Sequence, residues 1–138
     1  MRMNPQSADL LTQLQAATAG LLWLSEMDAP FQVKHWSYPA DTPLTTEALL
    51  QLTKQPPNAL VKALAVDDFF AGATEDQDWF GEEEKAIAAR YRELVALLKQ
   101  HLSDLTVYQV GEVTLDIYVV GRTPEGELVG LATQASET

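Results

Sequence analysis

The chain predicts a mixed α+β domain: a small, largely antiparallel sheet flanked by helices in a three-layer α/β/α sandwich. Three observations carry this. The last third holds three β-rich runs joined by short connections, Leu105–Gly111, Leu115–Val120 and Leu128–Thr133. Consecutive strands with short links form an antiparallel meander that needs helices packed over it. Second, Leu115-Asp-Ile-Tyr-Val-Val120 is apolar on both side-chain parities apart from Asp116, the mark of a strand covered on both faces. Third, Glu82–Leu102 carries Ile87, Tyr91, Leu94, Val95, Leu98 and Leu102 at i, i+3/i+4 spacing, the stripe of a long amphipathic helix. Its length of about 31 Å is enough to cross the sheet.

The elements follow in order. Ser7 is placed to cap a first helix, with Asp9 near its positive end, Leu10, Leu11, Leu14 and Ala17 on one face, and Gly20 as its stop. Leu21–Leu24 reads as a buried connector or strand, and Ser25–Pro30 as a polar loop. Phe31–Trp36 alternates cleanly and reads as a strand. After a loop over Ser37–Pro43, Thr45 or Thr46 caps a short helix over Glu47–Thr53, and Pro56-Pro57 marks its end. Lys62–Val66 is a second strand, Asp67–Phe70 a single helical turn, and Gly72–Gly81 a long loop. Glu82-Glu83-Glu84 sits at the positive end of the long helix, with Lys99 and His101 at the negative end. In the turn before the last strand, Thr123, Pro124 and Gly126 suit positions i, i+1 and i+3 of type I.

Bulk properties narrow the function. The 138 residues read as one domain, 1–138, with 46% hydrophobic residues and a core burying about two thirds of the unfolded surface. No apolar run reaches the roughly 20 residues of a membrane span, and the N-terminus lacks the apolar core of a signal peptide. The expected compartment is the cytoplasm. Nine Lys+Arg against twenty Asp+Glu give a net charge of −11, which argues against direct nucleic-acid binding and permits a basic protein partner. Asp67–Glu84 concentrates eight acids with no Lys or Arg. Plain solubility is the ordinary reading of an acidic chain.

Catalytic parts are sparse. There are two histidines and no cysteine, and neither His35 nor His101 has metal-site spacing. No G-x-S-x-G and no glycine-rich phosphate loop occurs. The expectation is therefore a non-enzyme without cofactor. What remains is Glu26 in the first loop, Asp76-Gln77-Asp78-Trp79 in the long loop, and Glu137-Thr138 at the end. Singly, Glu26 could be solvated, Trp79 a core plug for its loop, and Thr138 a frayed end. Together, acids around a large aromatic match an anchor with an electrostatic rim.

At these residues the chain resembles the nuclease A inhibitor family, cyanobacterial inhibitors of a sugar-non-specific nuclease. The matching stretches are Gly20–Glu26, Pro30-Phe31, Gln77-Asp78-Trp79, Gly111-Glu112-Val113, Leu115–Val119, Thr123-Pro124 and Glu137-Thr138. The resemblance implies a fold like that of plant PR-1 proteins and a role as a proteinaceous inhibitor of a Mg²⁺-dependent nuclease. It implies that Thr138 lends its hydroxyl to the nuclease Mg²⁺, a metal bound only in trans. It further implies that Glu26 and Asp78 pair with nuclease arginines and that Trp79 is a contact aromatic; Asp76 and Glu137, read above as part of the same exposed constellation, are expected in the same surface. The meander would hold the tail in place before binding, limiting the ordering entropy lost on contact. The free protein is expected to be a monomer. Met27-Asp28-Ala29 and most of Ser37–Leu60 depart from the family pattern. Two further readings stand beside this one: an acidic interaction module on the same scaffold without nuclease inhibition, and a small enzyme.

Overall fold

The C-terminal meander forms as its residues dictate, and each strand runs longer than its apolar run. The computed structural model describes residues 5–23, 28–75 and 78–136. Within them, β5 (Ser103–Gly111), β6 (Thr114–Arg122) and β7 (Leu128–Ser136) pair antiparallel in sequence. Two edge strands complete the sheet. β3 (Gln32–Trp36) lies against β7, and β4 (Val61–Leu64) against β5, giving the order β3-β7-β6-β5-β4 with every pair antiparallel. A two-stranded ribbon, β1 (Leu22–Trp23) with β2 (Ala29–Pro30), stands beside it.

The double parity of β6 has the consequence expected of it. Leu115, Ile117 and Val119 enter one core, while Val120, flanked by Tyr118, enters another on the opposite face. The larger core is covered by α1 (Pro5–Thr18), α3 (Val66–Thr74) and α4 (Glu82–His101), which contribute Leu10, Leu14, Phe69, Phe70, Tyr91, Leu94 and Leu98. The smaller one is covered by α2 (Thr46–Leu52) through Leu49, with Trp36, Leu44 and Leu52 around it. Helices thus lie on both faces, three against one. Leu94 and Leu98 are fully buried, each contributing roughly 1.5–3 kcal/mol. Among the described residues no helix is long and apolar enough to cross a membrane.

Several boundaries differ from the sequence reading, each for a local reason. α1 begins at Pro5, a residue suited to the first helical position, so Ser7 is inside the helix and Asp9 lies past its first turn. Gly20 does end it, at φ +71°. The helix terminus is closed by a distant side chain, since the Arg90 guanidinium donates to the carbonyls of Ala17 and Ala19 at 2.9 and 2.8 Å. Ala29-Pro30 is a strand rather than the end of a loop, held because the Thr133 hydroxyl of β7 donates to Pro30 O at 3.0 Å. Thr45 caps α2, accepting from Ala48 N–H, but the helix stops at Leu52, before the prolines, with Lys54 at φ +59°. Val66 belongs to α3 and not to a strand, and β4 begins one residue early, at Val61.

The largest difference lies between Asp67 and Gly81. The expected single turn is a nine-residue helix, and Gly72 sits inside it rather than opening a loop. Phe69 and Phe70 are buried against α4 and the sheet, and that packing outweighs the intrinsic cost of a helical glycine, about 1 kcal/mol. The loop is therefore 75–81. α4 starts where expected, with the Gly81 N–H donating to Glu84 Oε2 at 3.0 Å, the returning half of a capping box.

The α2 face of the sheet is organised by polar side chains. Asp116 accepts from Gln55 Nε2 at 2.8 Å and from its cross-strand neighbour Gln134 Nε2 at 3.0 Å, and Gln55 also donates to Tyr118 Oη at 2.9 Å. Asp116, Tyr118 and Gln134 line a cleft of about 450 Å³ that also meets Lys34 and Trp36. The one polar residue in the otherwise apolar β6 run is satisfied by those hydrogen bonds. At the far end of β6, the Arg122 guanidinium donates to the carbonyls of Pro39, Ala40, Thr42 and Gly126, stapling the loop before α2 to the β6–β7 turn. That turn closes through Gly126 N–H to Thr123 O at 2.8 Å, as its sequence predicts.

Candidate partner-binding surface

Of the six residues singled out from sequence, Asp78 and Trp79 are described, whereas Glu26, Asp76, Glu137 and Thr138 lie outside the described residues. Asp78 is exposed. Trp79 is 74% exposed, its ring meeting that of Phe80 edge-on at 4.6 Å. The alternative of a core plug is thus overturned: a side chain that could bury some 200 Å² faces solvent instead.

The reason lies in how α3 and α4 pack. Lys99 Nζ sits 3.0 Å from Asp67 Oδ2, and the Arg92 guanidinium donates to Thr74 O at 2.8 Å. The helices therefore run antiparallel, and α3 stops level with Arg92. The first turns of α4 extend past that point without α3 to cover them. Ile87 consequently departs from the stripe it was read in and is 42% exposed, whereas Tyr91, Leu94 and Leu98 are buried.

The flanks of the three chosen segments are tied into one framework. Trp23, the last residue of β1, stacks on Phe69 of α3 at 4.4 Å and 19°, and meets Tyr91 of α4 edge-on at 6.0 Å. The Tyr91 hydroxyl donates to Leu22 O at 2.5 Å. Burial pushes the Tyr91 phenol well above its ordinary range, the nearby Arg90 charge opposing only part of that, so it stays a neutral donor. On the other side of the 24–28 connection, Thr133 holds β2 to β7. β7 remains paired through Ser136, opposite Thr114, two residues before Thr138. Hence the entry to the Glu26 segment is fixed by α3 and α4, which also bound the Asp78-Trp79 loop. Its exit is fixed by the strand that leads to Glu137-Thr138.

Chemically this surface offers carboxylates, an exposed indole and apolar side chains. Among the described residues no group of three or more His, Asp or Glu side chains is placed to hold a metal ion. His35 instead lies 3.5 Å from Glu127. The supporting aromatics Trp23, Phe69 and Tyr91 were legible only as apolar positions, since nothing in their spacing distinguishes a framework residue from ordinary core.

Residues 8–138, nearly the whole chain, match the family described as nuclease A inhibitor-like protein. The chain belongs to the nuclease A inhibitor-like family. No curated protein matches it. Membership accords with a chain that works by binding, and implies a protein partner. The family match spans every segment of the candidate surface, from the residues before β1 through Thr138, so the inhibitor-like scaffold carries all of them.

Proposed function

We propose that this protein inhibits a Mg²⁺-dependent, sugar-non-specific nuclease by occupying its active site. The observation that carries the reading is the exposure of Trp79 beside Asp78, on a loop whose base is locked to the elements flanking the Glu26 segment. An inhibitor-like family over 8–138 supports a nuclease as the partner. In this reading Glu26 and Asp78 take arginines that otherwise hold nucleic-acid phosphates, Trp79 anchors the contact, and Asp76 and Glu137 complete the rim. Thr138 supplies an oxygen ligand to the nuclease Mg²⁺, in keeping with that cation's preference for neutral and anionic oxygen donors. The inhibitor matches the charge of the substrate and presents no scissile phosphodiester. The PR-1-like sandwich implied by the resemblance is supported by helices on both faces of the sheet. The free protein acts as a monomer.

Pre-organisation is what the fold contributes. β7 stays paired with β6 through Ser136, so the strand that leads to Glu137-Thr138 is already in place before contact, which limits the ordering entropy lost. The net charge of −11 steers a basic partner toward the surface and raises the association rate at low salt.

The test is titration of nuclease A with Mg²⁺, following DNA cleavage, alongside a variant lacking Thr138 and one extended beyond it. Stoichiometric inhibition by the intact chain, lost in both variants while thermal unfolding is unchanged, is the expected result. Normal inhibition by the extended variant would overturn the tail mechanism. No inhibition or binding by the intact chain would overturn the nuclease as partner and leave an acidic interaction module.

A further inference from the structure

We infer that an apolar groove beside Trp79 receives an apolar side chain of the partner nuclease, presented from a surface that carries arginine or lysine. This rests on the inhibitor reading above and adds a contact to it. The groove has a volume of about 430 Å³ and lies between α3 and the uncovered first turns of α4. Trp23, Phe69, Trp79, Phe80, Ile87 and Tyr91 form most of its wall. That volume is at the lower end of the roughly 300–1,000 Å³ of small-ligand sites, a size suited to one or two side chains.

Three observations identify the occupant. The groove is continuous with the candidate surface, since Trp79 both lines it and is the exposed aromatic beside Asp78, and Trp23, which also lines it, precedes Glu26 by three residues. Its surroundings are anionic: Glu84 lines it, and Glu75, Asp78, Glu82 and Glu83 are exposed on the adjoining backbone, with Lys85 the one basic residue between 63 and 89. A second copy of this chain would bring acid against acid, and an anionic membrane would be repelled. The nearest arginines are already engaged in closing helix ends, Arg90 on α1 and Arg92 on α3. An apolar centre ringed by carboxylates fits a basic protein surface with a protruding hydrophobic residue.

Gly72 provides the probe. It lines the groove, and a Cβ built on it has nothing within 4 Å. Gly72→Leu places an aliphatic side chain there from α3 without a clash at its base, and Gly72→Ala a shorter one. Ile87→Gln removes apolar wall at nearly constant volume from an exposed helix position. Each variant and the wild type are titrated against nuclease A with Mg²⁺ by calorimetry, with thermal unfolding to confirm the fold and sedimentation of the free protein. The expected result is a Kd raised about tenfold or more by Gly72→Leu and by Ile87→Gln, with Gly72→Ala between wild type and Gly72→Leu. The heat-capacity change of binding becomes less negative in Ile87→Gln, because less apolar surface is buried. Wild-type affinity in folded Gly72→Leu and Ile87→Gln would overturn the groove contact and leave the inhibitor reading intact. Absence of wild-type binding would overturn both. Concentration-dependent dimerisation of the free protein, abolished by Ile87→Gln, would make a second copy the occupant and overturn the inference.

Discussion

Tyr91→Phe isolates one atom of the framework that fixes the entry to the 24–28 connection. Tyr91 is 4% exposed, and its ring packs edge-on against Trp23 at 6.0 Å and Phe31 at 6.2 Å. Phenylalanine keeps those contacts and deletes only the hydroxyl that donates to Leu22 O at 2.5 Å. Loss of that bond leaves a carbonyl without its donor and costs about 1–2 kcal/mol at pH 7, lowering Tm by roughly 3–6 °C for a chain of this size. Alkaline pH gives the diagnostic. Burial raises the folded-state pKa of Tyr91 above its unfolded value, so the unfolded chain releases the phenolic proton first. The stabilisation is complete below the unfolded pKa of about 10 and declines above it by up to about 1.4 kcal/mol per pH unit, until the folded pKa is reached. The variant has no such group. Urea unfolding of both proteins from pH 7 to 11.5 should show the wild-type advantage shrinking above pH ~10 and vanishing about one unit higher. A stability difference below about 0.3 kcal/mol at pH 7, or one that stays constant to pH 11.5, would refute the role assigned to the hydroxyl.

Other perturbations test the sheet and the staple. Gly130 faces Val120 across β6–β7, and a Cβ there would lie 1.7 Å from Val119 O. Gly130→Ala must part the central strands, and should cost roughly 3 kcal/mol or more, or prevent folding, in denaturant titration. Arg122→Lys retains one charge but cannot reach the four carbonyls that the guanidinium now serves. A loss of about 1–3 kcal/mol is expected, with faster limited proteolysis in 37–43 than elsewhere.

What could be read from sequence depended on how many neighbours a residue answers to. β6 was legible because both of its faces are buried, so its hydrophobicity is nearly continuous and its lone acid stands out. α4 was legible because its 20 residues repeat the same stripe. The α3 segment was legible only as one turn, because Gly72 argues locally against continuing the helix, whereas Phe69 and Phe70 draw their stabilisation from distant elements. β2 has only two residues, one of them a proline, and exists because Thr133 and Leu22-Trp23 hold it. Ile87 carries the helical period faithfully, and its exposure follows from where α3 ends, which no periodicity encodes. Asp78 and Trp79 could be chosen from sequence as acids around an exposed aromatic, but the part proposed for them against a nuclease came from resemblance to the family. The supporting Trp23–Phe69 stack, joining β1 to α3, was invisible to both.

The same distinction sorts the acidic run from Asp67 to Glu84 and yields a prediction about where specificity resides. Asp67 and Asp68 occupy the first turn of α3 and Glu82-Glu83-Glu84 that of α4, where carboxylates complement exposed N–H groups. Asp67 also pairs with Lys99, and Glu84 accepts from Gly81 N–H. These acids have a structural reason to be present. Glu75 and Asp78 lie outside the helices, and Asp78 sits beside the exposed Trp79. Recognition should therefore concentrate at Asp78, while the helix-terminal acids act through long-range attraction. Asp78→Asn should weaken nuclease binding by roughly 2 kcal/mol, mostly through faster dissociation, with stability within about 0.5 kcal/mol of wild type. Glu83→Gln should lower the association rate less than about threefold at low salt, an effect that fades by 0.15 M as screening shortens to about 8 Å. Stopped-flow association and dissociation rates at two salt concentrations separate the two. Equal losses from both substitutions, each erased by salt, would mean that diffuse charge alone recognises the partner and that Asp78 has no site of its own.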